Sequence, residues 1–418
     1  MKFDVIVAGG GLAGCGAAIS AARGGAKVII IEKSGFLGGA AANCYVNPFM
    51  PFHTRTDGKP MALSAGVFAE ILDRLEELGG LGKRGIGNIM FNEETLKLVL
   101  DRMAKENNIT VLFHSYITDI EKDGEHIKSI SCVNKSGKQT FYADYFIDAT
   151  GDADVAALAG CPFRVGREED GLCQPMTLCF RLSGVDIDKA FNDGGKINDL
   201  YRKFREENRI KNPRENVLRF HHMSEGVLHL NSTRIIKKSP LNGFDLSDAE
   251  MEAREQAFEL YAFLKENCEG FENAVLHSSA PEIGVRESRM IDGHYILNKN
   301  DLIECTKFDD GIAACNYDID IHNPDGSGTS HYYFKDNSYY TIPYRCLLPM
   351  GTDNLLVAGR CISGTHEAQA SYRIMPVCCC IGEAAGTAAA LALKNQSSVN
   401  DVDTDELRKV LQDNHAFV

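Results

Sequence analysis

The chain has 418 residues, enough for two or three domains at about 150 residues each and far beyond the size at which disulfide staples are needed. Its 58 acidic residues outnumber 44 basic ones, for a net charge of −14, which argues against a protein that tracks nucleic-acid phosphates with a basic face. Small-molecule chemistry is the expectation that remains.

The first elements are a buried strand from Phe3 to Ala8, a glycine turn, an alanine-rich helix to about Arg23, and a second strand from Ala26 to Ile31. In that context Gly9-x-Gly11-x-x-Gly14 has dinucleotide-binding spacing: the first glycine makes the turn, the second admits a pyrophosphate, and the third lets the helix pack on the strand. Leu12 and Ala13 open the helix, whose N-terminus faces the phosphate. Glu32, followed by Lys33, ends the second strand where an acid accepts ribose hydroxyls. The alternative for this pair is a surface ion pair after a strand.

Gly80-x-Gly82-x-x-Gly85 repeats the spacing but follows a helix, Ala65 to Leu78, so it reads as a loop and implies no second nucleotide domain. From Ile109 to Asp148 short alternating runs with turns at Asp123-Gly124 and Ser136-Gly137 predict a small antiparallel meander. It ends in a strand that runs into Ala149-Thr150-Gly151-Asp152. Between 165 and 345 the character changes, with aromatic and His-bearing strands around Phe220–Leu230 and Asn316–His322. A helix from Ser247 to Asn267 is opened there by the capping box Ser247-x-x-Glu250. This stretch reads as an inserted substrate or cap domain, leaving 1–164 and 346–418 as the two parts of the nucleotide domain. The second part holds a strand from Asn354 that stops at Gly359-Arg360, then a helix from Met375 to Lys394 with Pro376 in its first turn.

Glu383 interrupts the apolar run of that last helix, which therefore reads as a buried helix and not a membrane span. Near the start, Leu12-Ala13-Gly14-Cys15 imitates a lipoprotein signal, but Asp4 and three consecutive glycines break the apolar region. The expectation is a cytoplasmic protein with no membrane and no nucleic-acid partner. None of the fourteen cysteines stands at C-x-x-C spacing, so neither an iron–sulfur cluster nor a zinc knuckle is expected. His221 and His229 are read on one side of a strand with His222 on the other, which does not make a metal site.

Taken together, Gly9–Gly14, Glu32, Gly38-Gly39 with Ala40, Ala149-Thr150-Gly151-Asp152 and Leu356–Arg360 resemble the FAD-binding domain of glutathione-reductase-type flavoproteins. More narrowly, Gly151–Gly160, Gln174-Pro175-Met176-Thr177, Ile283–Arg289, Ile342–Arg345 and Gly359–Ala368 resemble the FAD-dependent oxidoreductases related to the flavin subunit of heterodisulfide reductase and, more distantly, to fumarate reductases. The iron–sulfur motifs of the former are absent. The His-x₃-Asn-Arg run of the latter is matched only loosely, by His366 and Arg373.

The resemblance implies an α/β fold: a Rossmann-like FAD-binding domain with a small antiparallel meander and an inserted α+β cap. It implies FAD as cofactor, with Gly9, Gly11 and Gly14 at the pyrophosphate, Glu32 on the ribose, and the backbone of Ile117 near adenine. Ala149, Gly151, Asp152, Gly359 and Arg360 would flank the pyrophosphate and ribityl, and the flavin ring would lie between Gly39–Asn47 and the start of the last helix. Hydride loss from a carbon bearing a hydroxyl needs a base, and His366 suits it; Arg286, Arg289 and Arg373 are candidates to orient a carboxylate. The plainer alternatives are a structural hydrogen bond for His366 and an ion-pair network for Arg286 and Arg289 around Glu287. Cys44 is either packed or close to the flavin.

The expected function is oxidation of a small polar alcohol, sugar-like molecule or hydroxy acid, with electrons leaving to an external acceptor or partner protein. Two alternatives stand beside it: an ene-reductase of a conjugated carboxylate, and a flavoprotein subunit that relays electrons. A homodimer is a family-level expectation.

Overall fold

Runs of aliphatic residues without polar alternation form strands buried on both faces, and such strands belong in parallel sheets covered by helices. Val5–Ala8, Val28–Ile31 and Leu355–Val357 are runs of this kind, and they, like Tyr145–Asp148 with its two aromatic residues and terminal acid, are buried at every residue. In the computed structural model, which describes Met1–Val418, they form a five-stranded sheet in the order Leu355–Val357, Tyr145–Asp148, Val5–Ala8, Val28–Ile31, Thr110–Leu112. All its pairings are parallel.

The helix Leu12–Arg23 and the last long helix, Met375–Asn395, pack against each other backbone to backbone. Small residues make that approach possible: a Cβ on Gly382 would stand 1.9 Å from the Ala13 carbonyl oxygen, and one on Gly386 2.0 Å from that of Ala17. The last helix is long and apolar enough to cross a membrane, but its apolar window is 94% buried inside the protein. It is a core helix.

Glu383 lies in the middle of that helix, 2% exposed, and its Oε2 accepts the Val67 amide at 2.9 Å. It thereby caps the helix Val67–Glu77, which starts after Gly66 at φ +58°. Burial raises the Glu383 carboxyl from the usual 4.5 to about 7, against the opposing pull of the Val67 hydrogen bond. A folded-state pKa above the unfolded one gives a contribution that is complete below the unfolded value and is lost as pH rises toward the folded one. Glu383→Gln keeps an acceptor for Val67 without the charge. Its melting temperature is expected to exceed that of the parent at pH 8 and to converge with it near pH 4, as calorimetry across that range would show.

The antiparallel meander is present, but it has three strands, Tyr116–Asp123, His126–Asn134 and Gly137–Tyr142. The flanking runs Thr110–Leu112 and Tyr145–Asp148 belong to the parallel sheet instead. Short apolar runs look alike in both settings.

The inserted region carries a four-stranded antiparallel sheet in the order Arg219–His221, Leu228–Leu230, Phe180–Ser183, Val275–Ser279. One face, with Phe180, Leu182, Leu228 and Leu230, closes an apolar core of its own against the helices Lys196–Glu206 and Gly243–Asn267. That core runs from Phe180 to Ala274, whereas Ile312, Tyr340 and Ile342 pack into the core of the nucleotide domain. The separately packed unit is thus narrower than 165–345. The long helix also starts earlier than its capping-box motif suggests: Asn242 accepts the Phe244 and Asp245 amides, while Ser247 Oγ donates back to the Gly243 carbonyl at 2.7 Å. Asn at the N-cap competes well with Ser. His221 and His229 stand on neighbouring strands of a hairpin, with Phe220 opposite His229, and not on one strand.

Candidate active site

The glycine loop is built on close backbone contacts. Gly9 has φ +95°, and a Cβ there would lie 2.6 Å from the Ala149 carbonyl oxygen; one on Gly14 would lie 1.9 Å from that of Gly9. Gly11 differs, because its φ is −67° and a Cβ would meet only Gly39 Cα, at 3.8 Å. The Gly38 amide donates to the Gly10 carbonyl at 2.8 Å, and Gly39, at φ +51°, faces Gly11 with no room for a side chain. Two glycine segments therefore present a bare backbone cradle at the start of a helix whose first amides, including those of Leu12 and Ala13, have no intrahelical acceptors. Ala40 opens the short helix that follows Gly39.

Glu32 is 5% exposed, and its two oxygens accept the Gly10 amide at 2.5 Å and the Ser34 amide at 2.7 Å. Each oxygen retains a lone pair for a hydroxyl. Lys33 points away and pairs with Glu282 at 2.8 Å. The Ser115 amide donates to the Glu32 carbonyl at 3.0 Å, which brings the segment leading to Ile117 alongside Glu32.

On the other side of the loop, Gly151 has φ +80°, and the Arg360 guanidinium occupies the space a Cβ would need. Arg360 pairs with Asp152 at 2.6 Å, and Ser288 donates to the same Asp152 oxygen at 2.6 Å. Arg360 Nε is buried without a partner. Asp148 holds the turn from behind, accepting from Thr150 and Ala156; burial raises its carboxyl to about 6. A bare cradle, a helix N-terminus, a buried acid beside it and an arginine with an unmet donor fit a pyrophosphate-linked dinucleotide.

The family model described as FAD dependent oxidoreductase matches residues 4–411. The chain belongs to the FAD-dependent oxidoreductase family. No curated protein sequence matches it. Among solved structures, p-nitrophenol 4-monooxygenase PnpA from Pseudomonas putida DLL-E4 is 11% identical, with a TM-score of 0.50 over 98% of this chain and 85% of its own. A geranylgeranyl bacteriochlorophyll reductase-like protein from Thermoplasma acidophilum is 13% identical, with a TM-score of 0.45 over 99% of this chain and 83% of its own. At 11% identity the likeness to the monooxygenase is one of fold.

In this FAD-dependent oxidoreductase the substrate candidates separate into two groups. His366 opens the helix His366–Tyr372 after the N-cap Thr365, and its Nδ1 stands 2.7 Å from Glu287 Oε1. Glu287 is fully buried, and its other oxygen accepts the Gln174 amide at 2.8 Å. A carboxylate in that position fixes the imidazole proton on Nδ1 and leaves Nε2 as an acceptor. His366 lines a cavity of about 650 Å³ with Arg167, Asn323, Thr329, Ser330 and other mostly polar residues.

Arg286 and Arg373 make no hydrogen bond to this imidazole, but Gln174 joins the two sets, its amide donating to Glu287 and its Oε1 accepting the His322 amide at 3.3 Å. Arg373, at the far end of the same helix, reaches Asp320 Oδ2 at 3.5 Å. Arg286 donates to the Pro175 carbonyl and Thr177 Oγ1, both at 2.5 Å, and to Asn231 at 3.3 Å. Burial and the charges of Arg373, Arg214 and Arg234 push its guanidinium down to about 9. Around them the structure adds residues that sequence reasoning missed. Arg234 Nη2 donates to His322 Nδ1 at 3.1 Å, and His322 Nε2 faces Asp320 at 3.3 Å. Burial drives His322 to about 3, so it is neutral. The alternation Asp320-x-His322 on a strand was the only local signal.

Arg289 does not join either group. It donates to the Asp152 carbonyl and to Asp154, each at 2.9 Å, on a strand that pairs with Phe163–Val165. Arg289 is thus in an ion pair, but with Asp154 and not in a network around Glu287. Arg289→Ala is expected to cost roughly 1 kcal/mol or less, as for a partly exposed pair, and to leave turnover near that of the parent in a steady-state assay. Burial raises the Cys44 thiol to about 12, with Glu282 adding to the effect and Arg360 and Lys33 opposing it. Its Sγ lies 3.6 Å from the Ile283 carbonyl.

Proposed function

We propose that this oxidoreductase dehydrogenates a small polar substrate at a hydroxyl-bearing carbon. The observation that carries the reading is His366, its Nδ1 held by buried Glu287, at the wall of a polar cavity of about 650 Å³. FAD, when bound, supplies the two-electron acceptor. The chain's own part is to hold the cofactor at Gly9–Gly14, Glu32, Asp152 and Arg360, to seat the substrate, and to take its hydroxyl proton on His366 Nε2. The Glu287 carboxylate stabilises the imidazolium that results. A polar lining that includes Glu168, Glu169 and Glu367 beside Arg167 suits a neutral polyol or sugar-like molecule better than the p-nitrophenol ring in the name of the Pseudomonas monooxygenase.

The half-buried Arg286 favours a second reading, polarisation of a conjugated carboxylate in the reverse sense. Anaerobic mixing of FAD-loaded protein with hydroxy acids, polyols and enoates tests both. Bleaching of the visible flavin bands by an alcohol supports the first, and reoxidation of chemically reduced protein by an enoate supports the second. If no small molecule acts in either direction and a protein co-purifies, the electron-relay alternative replaces them.

A further inference from the structure

An isolated two-stranded hairpin is at best marginally stable in water, so its tip takes a fixed position only where something outside the hairpin holds it. Ile319–His322 and Thr329–Tyr332 form such a pair, with no third strand in their sheet. The connection between them bears glycines, with Gly328 at φ +100°, and residues 323–330 give no side chain to any of the apolar cores. Yet this tip is one wall of the His366 cavity, to which Asn323, Ser327, Thr329 and Ser330 contribute.

Two side chains of the inserted region hold it. Arg234 is 1% exposed; its Nη1 donates to the Gly326 and Gly328 carbonyls at 2.9 and 3.0 Å, and its Nη2 to His322 Nδ1 at 3.1 Å and Thr329 Oγ1 at 3.2 Å. Glu215 accepts the Gly328 amide at 3.2 Å and the Thr329 hydroxyl at 3.1 Å, and stands 3.5 Å from Arg234 as its counter-charge. Arg234 is itself fixed from behind, since Gln256 of the helix Gly243–Asn267 accepts its amide at 2.8 Å and donates to its carbonyl at 3.1 Å. A planar guanidinium serves such a set of acceptors at fixed angles, which a lysine ammonium on a flexible stem does not. The contacts thus run from the cap helix to the cavity wall. At its base the same hairpin is tied by the His322 amide to Gln174, whose own amide holds Glu287.

We propose that Arg234 and Glu215 are positioning residues that clamp the hairpin tip as a wall of the His366 cavity, and that this wall sets how tightly the cavity holds a polyol. This rests on the dehydrogenase reading only in taking that cavity as the substrate's. Neither side chain lines the cavity, so both act through the tip. A released tip carries Ser327 and Ser330 away from a bound molecule, while His366, held by Glu287 on the other wall, keeps its place. The effect therefore falls on KM and not on kcat.

The test reads backbone exchange and kinetics on the same FAD-loaded proteins: hydrogen–deuterium exchange across residues 323–330 by mass spectrometry, and flavin reduction by glycerol, erythritol, xylitol and sorbitol. Arg234→Lys keeps the charge and loses the fork; Glu215→Ala changes a partly exposed residue and leaves the buried arginine in place. In both, exchange across 323–330 should quicken at least about tenfold. KM for the polyol that reduces the parent fastest should rise at least about tenfold, with kcat within about twofold. Glu215→Gln retains an acceptor for the Gly328 amide and should recover most of the protection. An arginine that merely stabilised the fold would lower the melting temperature and leave the KM of the folded protein as it was. Unchanged exchange in both variants overturns the clamp, and faster exchange with unchanged KM overturns its bearing on substrate. If none of these polyols reduces the parent, the polyol reading fails on its own, and labelling of His366 by diethyl pyrocarbonate decides the clamp. Faster labelling in both variants upholds it, and labelling equal to the parent's overturns it.

Discussion

Replacing His366 with alanine should leave FAD bound and slow substrate reduction of the flavin by roughly 100- to 10,000-fold, the usual worth of a positioned acid–base group. The effect should fall on the rate of reduction at saturating substrate, because the imidazole acts on the proton and not on the groups that anchor the molecule. The variant also leaves Glu287, fully buried, with one hydrogen bond fewer, so a stability loss of about 1–3 kcal/mol should accompany it. Anaerobic stopped-flow absorbance separates the two effects by reading the rate on folded, yellow protein. Glu287→Gln should slow reduction less and shift its pH profile, since an amide still meets Nδ1 at a similar distance but no longer stabilises the imidazolium. A near-parental rate for His366→Ala would return the residue to a structural role.

The second large effect should come from one methyl group. Gly11→Ala adds a Cβ at a residue whose φ of −67° any amino acid adopts, with nothing nearer than Gly39 Cα at 3.8 Å. The FAD-free protein should fold as well as the parent or slightly better, by about 0.4–1 kcal/mol from the reduced freedom of the unfolded chain. The same methyl projects into the cradle. Crowding of about 1–3 kcal/mol corresponds to a roughly 5- to 150-fold loss of FAD affinity. Gly14→Ala should behave differently, because its Cβ would stand 1.9 Å from the Gly9 carbonyl oxygen and must disturb the fold itself. Equilibrium titration with FAD beside thermal unfolding of FAD-free protein distinguishes the two variants.

What was legible in the sequence was whatever depends on neighbours along the chain. The glycine spacing, Glu32 at the end of a strand, Gly151 and Gly359 after strands, and the buried last helix all follow from local pattern, and each is where the pattern puts it. What depends on distant partners was not legible. Arg289 sits beside Glu287 in sequence but turns to Asp154, 135 residues away. Glu287 itself turns to His366, 79 residues away. The earlier start of the Gly243–Asn267 helix has a different cause: two good N-caps compete within a few residues, and only the backbone entry at Asn242, with φ −108° and ψ 121°, decides between them.

The most direct test of the account is an absorption spectrum of the purified protein, with and without added FAD, repeated on the supernatant after acid precipitation. Flavin bands on the protein that pass into the supernatant are the predicted result, since Cys44 is a protonated, packed thiol and no covalent link is expected. A colourless protein that also fails to take up added FAD would contradict the assignment of the Gly9–Gly14 cradle, and with it the proton-acceptor role of His366.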